Sequence, residues 1–225
     1  MSPEDRTATR KRVGVLISGR GSNLQSLLDA AADPAYPAEI ALVISNRPGA
    51  YGLERAKAAG VATAVIDHKA FPDRESFDAA VDDALRGAGC EIVCLAGFMR
   101  IFTPGFAEGW AGRMLNIHPS LLPSFIGLHV QRQAIEAGAT IAGCTVHFVT
   151  PDLDAGPILA QAAVPVLPDD TEDSLSARIL AQEHRLYPAA LGWLAAGRVR
   201  IVGNRALVDG ATASGDLLSP RPEGL

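Results

Sequence analysis

Cysteine is scarce in this sequence, aromatic residues are few, and no apolar stretch is long. Three cysteines occur, Cys90, Cys94 and Cys144. An odd and sparse count excludes a disulfide framework. The histidines, cysteines and acids do not cluster at zinc-ligand spacing, so no metal is expected. Cys94 lies inside the apolar run EIVCLAG, with Cys90 just before it, and both read as small core residues. No apolar run approaches the roughly 20 residues needed to span a bilayer. The first twelve residues, MSPEDRTATRKR, are charged and carry no apolar core, which excludes a secretory signal. A cytoplasmic protein with no membrane partner is expected. Positive charge is in deficit, with 20 Lys and Arg against 25 Asp and Glu and a net charge of −5. Sequence-independent binding to nucleic acid draws on many neutralised phosphates, so nucleic acid is not an expected partner. A local pocket for one small anion stays open. Monomer and homodimer fit the sequence equally.

What the chain does have is alternation. Its 225 residues, 48% apolar, are enough to bury a core. Val13 to Ile17 is a short apolar run that ends in SGRGSN, and a helical stripe of Leu24, Leu27, Leu28 and Ala31 follows. IALVIS, a helix over residues 52–59, VATAVI, and a helix after Pro72-Asp73 with Phe77, Val81 and Leu85 in its stripe continue the pattern. EIVCLAG, apolar nearly throughout, suits a central parallel strand. The expected fold is α/β, a doubly wound, mainly parallel sheet with helices on both faces and a Rossmann-type N-terminal half. Ligands then bind beyond the carboxyl ends of the strands.

Later segments are expected as an ordered loop over HPSLLPSFIGLH, a helix near residues 131–137, the alternating strand CTVHFV, a turn at PDLDAGP, and the strand ILAQAAVPV. A long helix capped by Asp170 or Thr171 should follow, kinked or ended at Pro188, and then a short hairpin. Residues 1–12 are expected to be flexible and residues 211–225 disordered. Residues 13–210 form one expected unit, with a phosphate-binding half over 13–112 and a catalytic half over 113–210.

Three segments carry candidate chemistry. SGRGSN lies between a strand and a helix, where free N–H groups and the helix dipole favour an anion. Gly21 lets the backbone approach a phosphate, and Ser22 and Asn23 add side-chain hydrogen bonds. Position 24 is Leu, not a third small residue, and no acid ends the second strand. The loop therefore suits one phosphomonoester better than a dinucleotide. In LNIHP, period-2 alternation puts Asn116 and His118 on one side, where both can donate to a single oxygen. That suits acyl transfer, which forms an oxyanion and moves a proton. Asp154 in PDLDAGP can orient His118 or relay a proton. Taken singly, His118 beside Pro119 reads as structural and Asp154 as the acid of an Asx turn.

The combination decides. LISGRGSN, LAGFMRIF, LNIHPSLLPSFIGLH and HFVTPDLDAGPI, in this order, resemble the glycinamide ribonucleotide formyltransferases, the folate-dependent family of purine biosynthesis. The resemblance covers residues 13–195. It implies Asn116, His118 and Asp154 as catalytic residues. Gly21, Ser22 and Asn23 would hold the substrate phosphate, and Glu183 the ribose. Arg74, Met99, Arg100, Ile101, Phe102 and Asn116 would meet the donor, 10-formyltetrahydrofolate. Without the resemblance, Glu183 reads as a solvated helix residue. Alternation turns His147 inward, as support for the site. His68 reads as a solvated loop residue, and His129 as a plain loop residue, with an approach to the substrate as the lesser alternative. Ile126, Ala155 and Gln131 depart from the family pattern, which usually has proline, glycine and, in some members, a second histidine there.

The nearest alternative is a formyltetrahydrofolate hydrolase, in which water replaces the amine. That family usually carries an extra domain before the catalytic one, and a first strand at Val13 leaves no room for it. A methionyl-tRNA formyltransferase would need a further domain and a basic face. A phosphate-ligand binding protein without catalysis would not need Asn116, His118 and Asp154 together.

Overall fold

The computed structural model describes residues 9–211. The expected disordered tail, apart from Ala211, lies outside the described residues, as does most of the expected flexible N-terminus. The chain starts with β1 (Lys11–Ile17), α1 (Ser22–Ala31), β2 (Ala38–Ser45), α2 (Gly52–Ala58), β3 (Ala62–Val65), α3 (Arg74–Gly87), β4 (Ile92–Leu95), α4 (Pro104–Gly109) and β5 (Met114–His118). It continues through α5 (Val130–Glu136), β6 (Ile141–Phe148), β7 (Ile158–Pro165), α6 (Glu172–Ala195), β8 (Val199–Val202) and β9 (Arg205–Val208). The nine strands among the described residues join one sheet in the order β3-β2-β1-β4-β5-β6-β7-β9-β8.

The first five strands are parallel, and β6 runs antiparallel to β5. The expected α/β, mainly parallel, helix-covered sheet is what the chain forms. The connections leave β1 toward β2 and β3 on one side, then return to β4 and β5 on the other. The crevice between the β1 and β4 ends is the switch point at which such sheets bind ligands.

Alternation along the strands divides the core between two faces. On one, Val13, Val15 and Ile17 pack with Leu24 and Leu27 of α1 and Tyr187 and Leu191 of α6. On the other, Leu16 packs with Phe77, Val81 and Leu85 of α3 and with Trp110. The α3 stripe works as expected because Asp73 caps the helix, accepting the Ser76 N–H at 2.8 Å. Each such apolar side chain taken from water contributes roughly 1.5–3 kcal/mol.

Three expectations change. Lys11 and Arg12, placed in the flexible N-terminus, belong to β1 and pair with Glu91 and Glu39. Thr171 caps α6 as expected, but the helix runs past Pro188 to Ala195. Tyr187, Ala190, Leu191 and Ala195 are buried on the sheet, and that burial outweighs the roughly 3 kcal/mol an interior proline costs. The Pro188 carbonyl also accepts the Tyr36 hydroxyl at 2.6 Å. Finally, α4 was not anticipated, although Thr103 caps it and Pro104 sits in its first turn.

Candidate active site

The loop after β1 turns sharply at Gly21, whose φ is 70°. A side chain there is doubly excluded, because a Cβ would lie 2.7 Å from the Gly52 Cα. The turn starts α1 at Ser22 with no side-chain cap, so the first amides of the helix remain for an anion. Beside it opens a polar cleft of about 320 Å³, lined by Ser22, Gln25, Ser26, Asp29, Arg55 and His184. On the α6 side, Asn23 Nδ2 donates to Glu183 Oε2 at 2.7 Å. Glu183 is only 6% exposed, not the solvated helix residue its neighbours implied. Burial raises its pKa, against the Asn23 hydrogen bond and the His118 charge, which lower it.

β5 carries Asn116 and His118 on one side, as alternation requires. Its antiparallel partner places His147 directly opposite Asn116. His147 Nδ1 donates to the Phe148 carbonyl at 3.0 Å. A ring that donates there and stays neutral must accept at Nε2, where Asn116 Nδ2 lies at 3.1 Å. Burial, the largest influence, pushes the His147 pKa down. The 3.7 Å approach of Asp154 Oδ1 to His147 Nε2 is therefore not an ion pair. The protonation pattern fixes the Asn116 amide with its nitrogen toward His147 and one N–H left over.

Asp154 reaches this group from the turn after β6. Its Oδ2 lies 3.5 Å from His118 Nδ1 and accepts the Gly127 N–H at 3.3 Å. The acid takes a left-handed φ of 52°, a conformation Asp tolerates better than most residues. Gly156 makes the turn possible, since a Cβ there would fall 1.9 Å from the Phe148 carbonyl oxygen. His118 Nε2 donates to the Phe125 carbonyl at 3.0 Å. With that nitrogen donating, the Asp154 contact at Nδ1 is attractive in the imidazolium form. The loop that supplies Phe125 is tied down by Thr145, whose Oγ1 donates to the Ser120 carbonyl and accepts the Leu122 N–H.

The remaining candidates lie around the end of β4. Met99 and Ile101 are 64% and 52% exposed. Phe102 is buried and stacks between Phe98 and Phe106, so only its backbone is left to meet a ligand. Arg100 lies over the Phe77 ring at 4.8 Å, and Arg74 starts α3 nearby. Exposed apolar side chains at a strand end suit a flat ring such as a pterin. Among the described residues, no group of three His, Cys, Asp or Glu could hold a metal ion. No helix among them is long and apolar enough to cross a membrane.

One histidine departs from expectation, and another takes the plain surface role that was the favoured reading. His68 is half-buried in a short 3-10 turn, edge-on to Phe77, with Nδ1 near the Asn46 carbonyl at 3.1 Å. His129 is exposed and pairs with Glu172 at 3.2 Å. The sequence also concealed a buried relay. Ser18 Oγ donates to Asn46 Oδ1 at 2.7 Å and accepts the Met99 N–H at 2.8 Å. It ties the loop after β1 to the strap after β4. A serine and an asparagine each ending a buried strand were the available signal.

Comparison with known proteins places the chain in a family. The family model described as formyl transferase matches residues 11–191. Phosphoribosylglycinamide formyltransferase of Escherichia coli K12 is 47% identical over 196 residues, covering 87% of this chain and 92% of that one. The trifunctional purine biosynthetic protein adenosine-3 of Drosophila pseudoobscura is 56% identical over 86% of this chain. This chain spans only 14% of that relative's length, and 19% of the human counterpart's. The crystal structure of glycinamide ribonucleotide transformylase 1 from Symbiobacterium toebii superposes with a TM-score of 0.88 at 50% identity, covering 92% of this chain and 99% of that one. A match over residues 11–191, most of the length and including β5 with Asn116 and His118, leaves one assignment: the chain belongs to the formyl transferase family.

Proposed function

We propose that this chain transfers a formyl group from 10-formyltetrahydrofolate to the amine of glycinamide ribonucleotide, in the cytoplasm, as one unit over residues 13–210. The observation that carries this reading is the meeting of Asn116, His118 and Asp154, with Asp154 Oδ2 3.5 Å from His118 Nδ1, near the loop at Gly21. The amides of Ser22 and Asn23 hold the substrate phosphate at the start of α1, and the Glu183 carboxylate takes the ribose hydroxyls. Met99, Ile101 and the backbone of Phe102 border the pterin, with Arg74 and Arg100 as the nearby cations.

The donor supplies an N-formyl group, whose carbon the amine attacks. A carbon–nitrogen bond to the amine forms, the bond to the folate nitrogen breaks, and one proton passes from the amine to that nitrogen. The remaining N–H of Asn116 and the Nε2–H of His118 stabilise the oxyanion that develops between these events. His118 reaches it by exchanging the Phe125 carbonyl for the reacting oxygen. Asp154 holds the imidazolium and carries the proton between the two nitrogens through water.

The test offers the protein 10-formyltetrahydrofolate with glycinamide ribonucleotide, with charged initiator tRNA, or with water alone. Fast formation of formylglycinamide ribonucleotide and slow reaction in the other two mixtures is the expected result. Equal release of formate with and without the amine would refute the reading in favour of a hydrolase.

A further inference from the structure

Asp78 is the buried acid that the reaction above does not use. It sits on α3 next to Phe77 and is 3% exposed. Its Oδ2 accepts the Thr103 N–H at 2.7 Å, which fixes the end of the strap over residues 97–103. Its Oδ1 is buried and has no hydrogen-bond partner. A carboxylate oxygen left unpaired in the interior costs stability, so the acid is not there for packing alone. Burial raises its pKa, against the Thr103 hydrogen bond and the charges of Arg100 and Arg74, which lower it. Arg74 lies one helical turn before it, on the same side of α3. Arg100 is half-buried over Phe77, and its Nε is buried without a partner. One interior anion thus stands behind the two cations assigned to the formyl donor.

We propose that Asp78 is a positioning residue for the donor: its charge and its bond to Thr103 hold Arg100, Arg74 and the strap ready for the donor's carboxylates. It touches neither substrate. The proposal rests on the reading that Arg74 and residues 99–102 meet a folate.

Asp78→Asn keeps the shape and an oxygen for the Thr103 N–H but removes the charge. The expected result is a donor KM raised about tenfold, equivalent to about 1.4 kcal/mol. kcat and the KM of the amine substrate should stay within about twofold. A donor truncated before its glutamate, and so lacking carboxylates, should bind wild type and variant alike. Asp82→Asn, one turn further along α3, removes an acid that bonds Arg86 and Trp110 instead and should leave the donor KM unchanged. Calorimetric titration with tetrahydrofolate, with no acceptor present, should show the same weakening. That arm still reads out if the acceptor proves to be something other than glycinamide ribonucleotide. If Asp78→Asn does not fold, Asp78→Glu, which keeps the charge but displaces it by one methylene, should still raise the KM of the full donor and leave that of the truncated donor unchanged. An unchanged donor KM, or an equal rise for the full and truncated donors, would overturn the proposal.

Discussion

Replacing Asn116 with alanine tests the proposed chemistry most directly. The Asn116 amide nitrogen has two hydrogens, and one is committed to His147 Nε2 at 3.1 Å. The other is the donor assigned to the oxyanion. Its removal should lower kcat by about 10²–10³, or roughly 2.7–4 kcal/mol of transition-state stabilisation. The KM values should change little, because the oxygen carries its full charge only near the transition state. The same substitution strands His147 Nε2, a buried acceptor in a ring whose other nitrogen is occupied by the Phe148 carbonyl. An orphaned buried acceptor costs roughly 1–3 kcal/mol, and in a chain of this size each kcal/mol lowers Tm by about 2–4 °C. Catalysis and stability should therefore fall together, for separate reasons. Steady-state rates with both substrates saturating, and thermal melts of the same preparation, measure the two. A kcat within about threefold of wild type would show that Asn116 only supports His147 and is no oxyanion donor.

Asp154→Asn should slow turnover far more than it weakens the phosphate sugar, measured by titration and by rate. Equal losses would assign Asp154 to folding of the turn. Gly21→Ala should raise the KM of the amine substrate and lower Tm, because the left-handed φ costs roughly 1–2 kcal/mol and the methyl meets Gly52. An unchanged KM would remove the loop from the phosphate site. Glu183→Gln should stabilise the protein at high pH. Burial raises the Glu183 pKa above the ordinary carboxylate value, so stability is lost as pH rises through the folded value, and glutamine escapes that loss while still accepting from Asn23. Melting curves should coincide near pH 4 and diverge upward in pH. A constant gap would refute the assignment.

The fold was legible because β1 to β5 and the intervening helices obey simple periodicities, and α3 shows its cap and its stripe openly. Asn116 and His118 were legible as a pair for the same reason, two residues apart on one strand. Glu183 was not. It lies between Gln182 and His184 in a polar stretch of α6, and only Asn23, from the start of the chain, makes its burial tolerable. Asp78 follows the core residue Phe77 and lies outside the apolar stripe of α3, and only the distant strap at Thr103 accounts for its burial. At Pro188 one of the two expected outcomes, an ended helix, does not occur, because the packing of Tyr187 and Leu191 on the sheet outweighs the local rule about helix interiors. Burial of a polar side chain depends on a distant partner, and periodicity records only which side a residue faces.

The chemistry gathers where the sheet stops being parallel. Beyond the carboxyl ends of β1 and β4, parallel strands deliver the loops assigned to binding, the turn at Gly21 and the strap at residues 97–103. A parallel sixth strand would need a crossover before its own end could return to this edge. Antiparallel β6 needs none. It sets His147 face to face with Asn116 as a cross-strand pair, and its following turn folds back within six residues of Phe148 to put Asp154 against His118. The neutral imidazole then fixes the amide on one strand while the carboxylate fixes the second imidazole on the same strand. Two adjacent strands and one turn therefore orient every group assigned to the proton and the oxyanion, and the parallel half has only to bring the substrates to them.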